Sequence, residues 1–409
     1  MTSPDPSNEL PLLPLTRLQQ AMIAMASIAM GAGMTINFVV VAPVARDAGL
    51  SELEVAGILT LSAAIYALMI PRWGTWANRF GRKRVMVFSL MAMGLTNMAF
   101  LFTLEAALAG LLTGSTMFLS LVFVRIWFGL LSPGLQPASM AAMTDATTPR
   151  TRAAGLGLLG AAMSIGSIIG PAGAAVLAPL GALAPLWGSI VLCLGCGLII
   201  GFVLPPTRRA NKTTQRPKAL TMRDPRVFPH LVFLFAYFVA VGMIQQTLGW
   251  FLEDRYGLEE ADVVLFTGIV FACLAIMMVV VQFGFIQPRK PDPRKMLPAG
   301  LALVATGYVA ADLSQPYWSV CLAFLIVGAG AALAVPSANA LGTMSVQREE
   351  QASAAALLAA APPSGFIFGP LIGAGLYQLS PKLPLLVSAA LIAGLALYAA
   401  VFLTRQSRP

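Results

Sequence analysis

The sequence predicts an all-α membrane protein of twelve transmembrane helices, built as two pseudo-symmetric six-helix bundles. Composition points there first: 58% of the 409 residues are hydrophobic and 11% are charged, where soluble globular chains carry roughly 25% charged residues. Segmentation agrees, because the charge-poor runs have about the 20 apolar residues that a spanning helix needs. An internal repeat supplies the symmetry. Gly166-Ser-Ile-Ile-Gly170-Pro171 recurs 199 positions later as Gly365-Phe-Ile-Phe-Gly369-Pro370, and the same offset carries Gly129 onto Gly328, Pro137 onto Pro336 and Thr144 onto Thr343. A period near 200 residues is too long for a solenoid unit, so each copy is a multi-helix bundle. A weaker echo sets Gly49, Leu50 and Glu52 against Gly257, Leu258 and Glu260 at an offset of 208, as a lengthened loop would give.

The spans are expected at 16–45, 52–73, 84–104, 116–143, 153–179, 183–204, 228–252, 260–287, 295–313, 317–345, 352–377 and 383–403. Residues 1–15 form a polar, proline-rich tail ahead of the first bundle (16–204). A basic linker (205–227) leads to the second bundle (228–403), and 404–409 is a short tail. The first apolar run continues past signal-peptide length, so this helix is expected to stay in the mature protein. Ser51-Glu-Leu-Glu54 reads as a capping box that opens the second helix. Next comes Gly74-Thr-Trp-Ala-Asn78-Arg79-Phe-Gly81-Arg82-Lys83-Arg84, where two glycines allow a sharp turn and the cations can reach the carbonyls at helix C-termini.

In the fourth span, Arg125 lies nine residues from the start, about 14 Å into a core of about 30 Å. A charge at that depth is costly and faces a cavity or a partner. Two readings stand: it lines a polar pathway, or it is satisfied by carbonyls and fixes helix packing. Glu105 and Asp145 are each 20 residues away, too far along one helix to pair with it. In the fifth span, Gly157, Gly166 and Gly170 permit close helix contact and Pro171 bends the axis. Cys193 and Cys196 have CxxC spacing but sit in an apolar segment with no nearby His or acid, so they read as small buried hydrophobes. Cys273 and Cys321 read the same way.

Asn37, Tyr66, Tyr237, Gln245, Gln246, Gln282 and Asn339 are polar residues inside apolar spans, where they either line a cavity or bond helices together. Trp73, Tyr256, Tyr317 and Trp318 fall at predicted helix ends and read as interfacial belt.

The net charge of +9 does not imply nucleic acid. If both termini face the cytoplasm, 22 of the 26 basic residues fall on that side and only Arg46, Arg255 and Lys382 on the other, which is the positive-inside pattern and invites anionic lipid. All 17 acids fall in loops, tails or helix ends, so no carboxylate is placed at mid-membrane. Asp47, Glu52, Glu54, Glu253 and Asp254 are the acids expected at the outer mouth, where ordinary solvation explains them as well as function does. There is no Walker A sequence for ATP drive. His230 is the sole histidine, so neither a catalytic triad nor a zinc site can form around it. An enzyme and a bound cofactor are not expected.

The loop at Gly74, Ala77, Arg79, Gly81, Arg82 and Lys83 resembles the signature of the major facilitator superfamily. It departs at Asn78, where the family has an aspartate thought to help lock the cytoplasmic gate. Arg125-Ile-Trp-Phe128-Gly129 is similar to the family's Arg-x-x-Gln-Gly, with Phe128 in place of glutamine. The Gly157, Gly166, Gly170 and Pro171 pattern resembles the signature of its antiporter branches, with Ala174 and Ala175 where glycines are usual. The resemblance spans residues of about 16 to 403. It implies bundles related by a pseudo-twofold axis along the membrane normal, one mid-depth site between them, and alternating access by rocking.

On that resemblance the expected function is secondary active export of a drug or metabolite, with proton antiport, by a monomer in the bacterial cytoplasmic membrane. Its partners would be a small-molecule substrate, protons and lipid. Arg125, Asn37, Tyr66, Tyr237, Gln245, Gln246 and Asn339 would bind substrate, with a preference for anionic or zwitterionic compounds. Gly74, Asn78, Arg79, Gly81, Arg82, Lys83, Gly157, Gly166, Gly170 and Pro171 would shape the gates. Alternatives are transport of an organic anion or siderophore in either direction, with Arg125 as anion ligand, and a membrane receptor that does not transport.

Overall fold

The computed structural model describes residues 16–147, 152–205, 220–347 and 350–406. The N-terminal tail, most of the linker, and Arg150, Arg348 and Arg408 lie outside the described residues. The first half comprises α1 (Arg17–Asp47), α2 (Glu52–Phe80), α3 (Arg82–Leu108), α4 (Gly114–Leu131), α5 (Leu135–Asp145), α6 (Arg152–Leu177) and α7 (Ala184–Val203). The second comprises α8 (Phe228–Tyr256), α9 (Glu260–Val281), the short α10 (Gln287–Arg289), α11 (Pro293–Leu313), α12 (Ser319–Met344), α13 (Gln351–Leu358), α14 (Ala361–Leu379) and α15 (Leu383–Gln406).

Among the described residues, 11 helices are long and apolar enough to cross a membrane, with α4 and α5 counted together and α9 continuing into α10. The twelfth expected crossing, at 352–377, is divided into α13 and α14. Its break at Ala359 and Ala360 precedes Pro362 and Pro363, which lack the N–H a continuing helix would need and are well placed in the first turn of a new one.

Local chemistry sets the helix starts. Thr16 with Gln19 and Ser51 with Glu54 form reciprocal capping boxes on α1 and α2, and the Asp292 side chain accepts from the Arg294 N–H at the start of α11. Gly81, with φ +97°, separates α2 from α3, a conformation that costs residues with a Cβ. α1 and α8 are buried along most of their length, as interior helices must be when they are apolar all round. α4 buries a single stripe, Met117, Leu121, Arg125, Phe128 and Gly129, while Leu119 and Phe123 are each 61% exposed. Its three- and four-residue spacing places Arg125 on the inward face.

The interruption between α4 and α5 falls at Ser132, Pro133 and Gly134. Trp73 seals this joint: its Nε1–H donates to Leu130 O at 2.8 Å, and its ring meets Trp76 edge-on and stacks on Phe88 at 5.4 Å. This corrects the assignment of Trp73 to the interfacial belt. α2 runs seven residues beyond the expected end of the span, so the indole lies inside the helix packing. Trp318 is exposed, Tyr256 donates to Ser314 O at 2.8 Å, and Tyr317 meets the Phe266 ring edge-on. All four cysteines are free.

The described end of the linker is docked on the second half. Leu220 N–H donates to Ser353 Oγ at 2.9 Å, and Arg226 bridges Asp224 (2.9 Å) and Glu350 (2.8 Å). The Arg226 guanidinium holds the Asp224 carboxyl below its ordinary range.

The halves join through α6 with α9, α2 with α14, and α1 with both α8 and α9. The first two pairs exchange places under the repeat. At the end of the molecule where α1 turns into α2, Arg46 forms ion pairs with Glu52 (3.4 Å), Glu253 (3.3 Å) and Asp254 (2.7 Å). Trp250 Nε1–H donates to Ala42 O at 2.8 Å. Both Arg46 to Asp254 and Ala42 to Trp250 are separations of 208 residues, the offset of the repeat at this end, so each residue meets its own counterpart across the pseudo-twofold axis.

Candidate substrate site

Arg125 lies about 16 Å along α4 from Gly114 at 1.5 Å per residue, and its side chain is 3% exposed. Nη2–H donates to Asn37 Oδ1 on α1 at 2.6 Å, and Asn37 Nδ2–H donates in turn to Gly33 O. The guanidinium carbon sits 3.7 Å from the ring centre of Phe100 on α3 and 5.4 Å from that of Phe128, a cation–π arrangement that contributes about 2 kcal/mol when desolvated. Nε has no partner. Asn37 is neutral, so the pocket holds a guanidinium whose described partners carry no counter-charge. These contacts all come from the first half.

Tyr66 belongs to the same cluster. Its ring stacks on Phe128 with centroids 6.2 Å apart, and its hydroxyl donates to Met30 Sδ. Ser62 Oγ–H reaches Arg125 O at 3.2 Å, which draws α2 against α4 where Gly129 leaves room. Asn97, one turn before Phe100 on the same face of α3, is buried with both amide atoms unpartnered, and Ser189 Oγ is likewise unpartnered. Sequence reasoning passed over Asn97, although it is the sole Asn in the apolar stretch of α3.

The second half is built differently. The position 199 residues after Arg125 is Phe324, fully buried and packed against Phe271 and Tyr308. Tyr237 is buried and joins a run of rings across the molecule: Tyr237 to Phe238, Phe238 to Phe366, and Phe366 to Phe38 on α1 at 6.0 Å. Gln246 is 0% exposed and neither of its side-chain polar atoms has a partner. Gln245 Oε1 and the Thr267 hydroxyl on α9 are also unpartnered. One turn beyond Gln246, the open side of Gly249 meets Pro43 of α1 and the Thr267 hydroxyl, which places this face of α8 where the halves join. Asn339 is distant from that level, five residues from the far end of α12, and donates to Val335 O within its own helix. Gln282 opens a π-helical turn and is half-buried.

Among the expected gating residues, Arg82 is the buried anchor. It donates to Asn78 Oδ1, to Ala77 O at 3.1 Å and to Asp145 Oδ2 at 3.1 Å. Asp145, at the end of α5, thus supplies a carboxylate to this loop although Asn78 does not. Gly74 approaches Pro137 of α5, Gly81 makes the turn, and Arg79 lies exposed over Phe80; Lys83 is half-buried.

The α6 glycines divide in role. Gly166 and Gly170 press on the α1 backbone at Ile28 and Ala32, inside the first half, whereas the carbonyl of Pro171 faces Gly268 of α9 across the interface. Gly365 and Gly369 repeat the first contact against α8. Gly157 has open space beside it. Gly157→Ala is therefore expected to leave thermal stability unchanged or raise it by up to about 1 kcal/mol, as read by melting in detergent.

The sequence matches the profile of the Major Facilitator Superfamily over residues 22–291 and 289–409. It is 25% identical over 357 residues to Multidrug resistance protein 2 of Bacillus subtilis (strain 168), covering 83% of this chain and 84% of that protein. It is also 25% identical over 392 residues to Tetracycline resistance protein, class B, of Escherichia coli, covering 92% and 91%. Among solved structures, a bacterial homolog of the human lysosomal transporter Spinster superposes with a TM-score of 0.69 at 15% identity, over 95% of this chain and 96% of that one. A mutant of the nucleoside transporter NupG superposes with a TM-score of 0.70 at 12% identity, over 95% and 100%.

Proposed function

Because the chain belongs to the Major Facilitator Superfamily, we propose that it is a secondary active exporter of small, drug-like organic molecules that works by alternating access, with proton antiport. Support for export comes from relatives named for multidrug and tetracycline resistance. The domain reading is two bundles, 16–204 and 228–403, rocking about α1 and α8. The membrane is the bacterial cytoplasmic one, with both termini inside, as the basic loops favour. The protein acts as a monomer in contact with anionic lipid.

One observation carries the substrate preference: a buried guanidinium held by a neutral amide. A buried charge without a counter-charge is unfavourable, and a ligand that brings a carboxylate or other delocalised negative group relieves it. The binding residues in this reading are Arg125, Asn37, Tyr66, Tyr237, Gln245 and Gln246, joined by Asn97 and Thr267, whose buried polar atoms await partners. Asn339 lies nearer the mouth of the path. Amphiphilic molecules with an acidic or zwitterionic part fit this set, with the aromatic run from Tyr237 to Phe38 stacking their flat portions. The same guanidinium favours a second reading, an importer of an organic anion by proton symport.

Labelled candidate compounds in inverted and right-side-out vesicles, with an imposed pH gradient, separate the two. Export predicts accumulation in inverted vesicles only, abolished by collapsing the gradient and reduced at least about tenfold in Arg125→Gln, as the loss of one buried charge-assisted contact would give. Accumulation in right-side-out vesicles alone would replace export by import. Uptake indifferent to the gradient would remove proton coupling.

A further inference from the structure

Arg125 Nε on α4, both amide atoms of Asn97 on α3 and Ser189 Oγ on α7 are buried without partners; Asn97 and Ser189 are 2% and 1% exposed. Their neighbours bring them to one place. Asn97 lies on the α3 stripe between Met93 and Phe100. Phe100 sits beneath the Arg125 guanidinium, 3.7 Å from its carbon to the ring centre. Met93 Cε lies 2.7 Å from where a Cβ on Gly33 of α1 would stand, and Ser189 Oγ lies 3.4 Å from the same point. Gly33 O in turn accepts from Asn37 Nδ2 at 2.6 Å, and Asn37 Oδ1 accepts from Arg125. Helix register agrees. α3 and α7 run antiparallel, with Leu90 against Gly197 and Gly94 against the Ile190 carbonyl, so the next turn of α3 sets Asn97 opposite Ser189.

This polar centre is internal to the first bundle, because α3 and α7 pack on first-half helices and every contact above lies within that half. A ligand there must be small. Its charge is set by what surrounds it: among the described residues of α1, α3, α4 and α7 the acids are Asp47 and Glu105, both exposed and toward helix ends. The guanidinium is therefore buried without a counter-charge, a costly arrangement. A neutral hydrogen-bonding group would satisfy the Asn97 amide but would leave that charge in place. We infer that the first bundle binds an inorganic anion of halide size, such as chloride, on Arg125 Nε–H and Asn97 Nδ2–H, with the Ser189 hydroxyl as third donor. The anion serves as counter-ion to Arg125 when no acidic substrate is present. The inference goes beyond export, since binding here requires no transport.

The test uses the full chain in detergent with radioactive chloride, sodium gluconate holding the ionic strength constant. Wild type is expected to retain chloride saturably, at one ion per chain. Bromide is expected to displace it, whereas gluconate, too bulky to enter among these side chains, is not. Arg125→Gln is expected to abolish saturable binding. Asn97→Leu and Ser189→Ala are each expected to weaken it about tenfold, as the loss of one hydrogen bond to a charged group gives. Ser388→Ala, which removes a buried hydroxyl bonded to Ala240 O in the second half, is the control and keeps wild-type binding.

Retention that only rises in proportion to chloride, or saturable binding unchanged in both Asn97→Leu and Ser189→Ala, would overturn the inference. Should Asn97→Leu fail to fold, melting decides: replacing gluconate by chloride raises the wild-type melting temperature, because a ligand of the folded state stabilises it, and raises that of Ser189→Ala less at the same concentration. Equal shifts in the two proteins would overturn the inference as well. Vesicle transport can fail while chloride is retained, and can succeed where none is, so the two results remain separable.

Discussion

Gly166→Val is expected to eliminate most of the folded protein. A Cβ at this position would overlap the backbone carbonyl of Ile28, and Gly31 on the facing side has the same relation to Met163 O. Both obstacles are backbone, so neither rotates away, and α1 must retreat from α6 along their contact. Overpacking among side chains already costs about 1–3 kcal/mol, and displacing a helix that is buried along most of its length costs more. The expected measurement is a fall of at least about 3 kcal/mol in stability, seen as loss of the monodisperse peak in size-exclusion chromatography. Gly157→Val, on the same helix facing open space, is the control and should keep that peak. Equal yields for the two variants would refute the close approach of α1 and α6.

The second large effect concerns Asn37. Its Oδ1 accepts from the Arg125 guanidinium, and the neighbouring Nε has no partner. Asn37→Leu keeps the volume but takes away the acceptor of a guanidinium that is only 3% exposed. Stranding a buried charge in this way costs about 3 kcal/mol or more, so the melting temperature is expected to drop by several degrees and transport to cease. Asn37→Asp is expected to move the other way in stability, since it gives the guanidinium an ionised acceptor, and to weaken the export of acidic substrates by competing with them. A leucine variant as stable as wild type would mean that Arg125 is held by something other than this amide.

Much of the architecture could be read before the structure, because membrane helices announce themselves by length and because the Gly166–Pro171 segment occurs twice. The Arg125 depth and the capping box at Ser51 followed from counting and from local chemistry. The helix breaks were harder. Ser132-Pro133-Gly134 carried a turn signal, but the apolar run continued through it. Pro362 and Pro363 marked a new helix start inside a stretch counted as one span. Trp73 was misplaced because α2 outruns its apolar segment, so a residue near the end of the hydropathy signal is interior to the helix. The carboxylate that serves Arg82 could not be read at all: Asp145 is 63 residues away, and nothing local to either residue requires their meeting. Asn97 and Thr267 needed burial to stand out, since single polar residues in apolar helices are common.

The meeting of Arg46 with Asp254 has a consequence for how such a chain can arise. Were the two copies identical, the axis would set each side chain against its twin, guanidinium on guanidinium or carboxylate on carboxylate, and this closure would repel itself. Once the two copies are no longer identical, each mutates alone and opposite signs can occupy twin positions. A seal of this kind is therefore a late acquisition, out of reach of any ancestor assembled from two separate identical subunits.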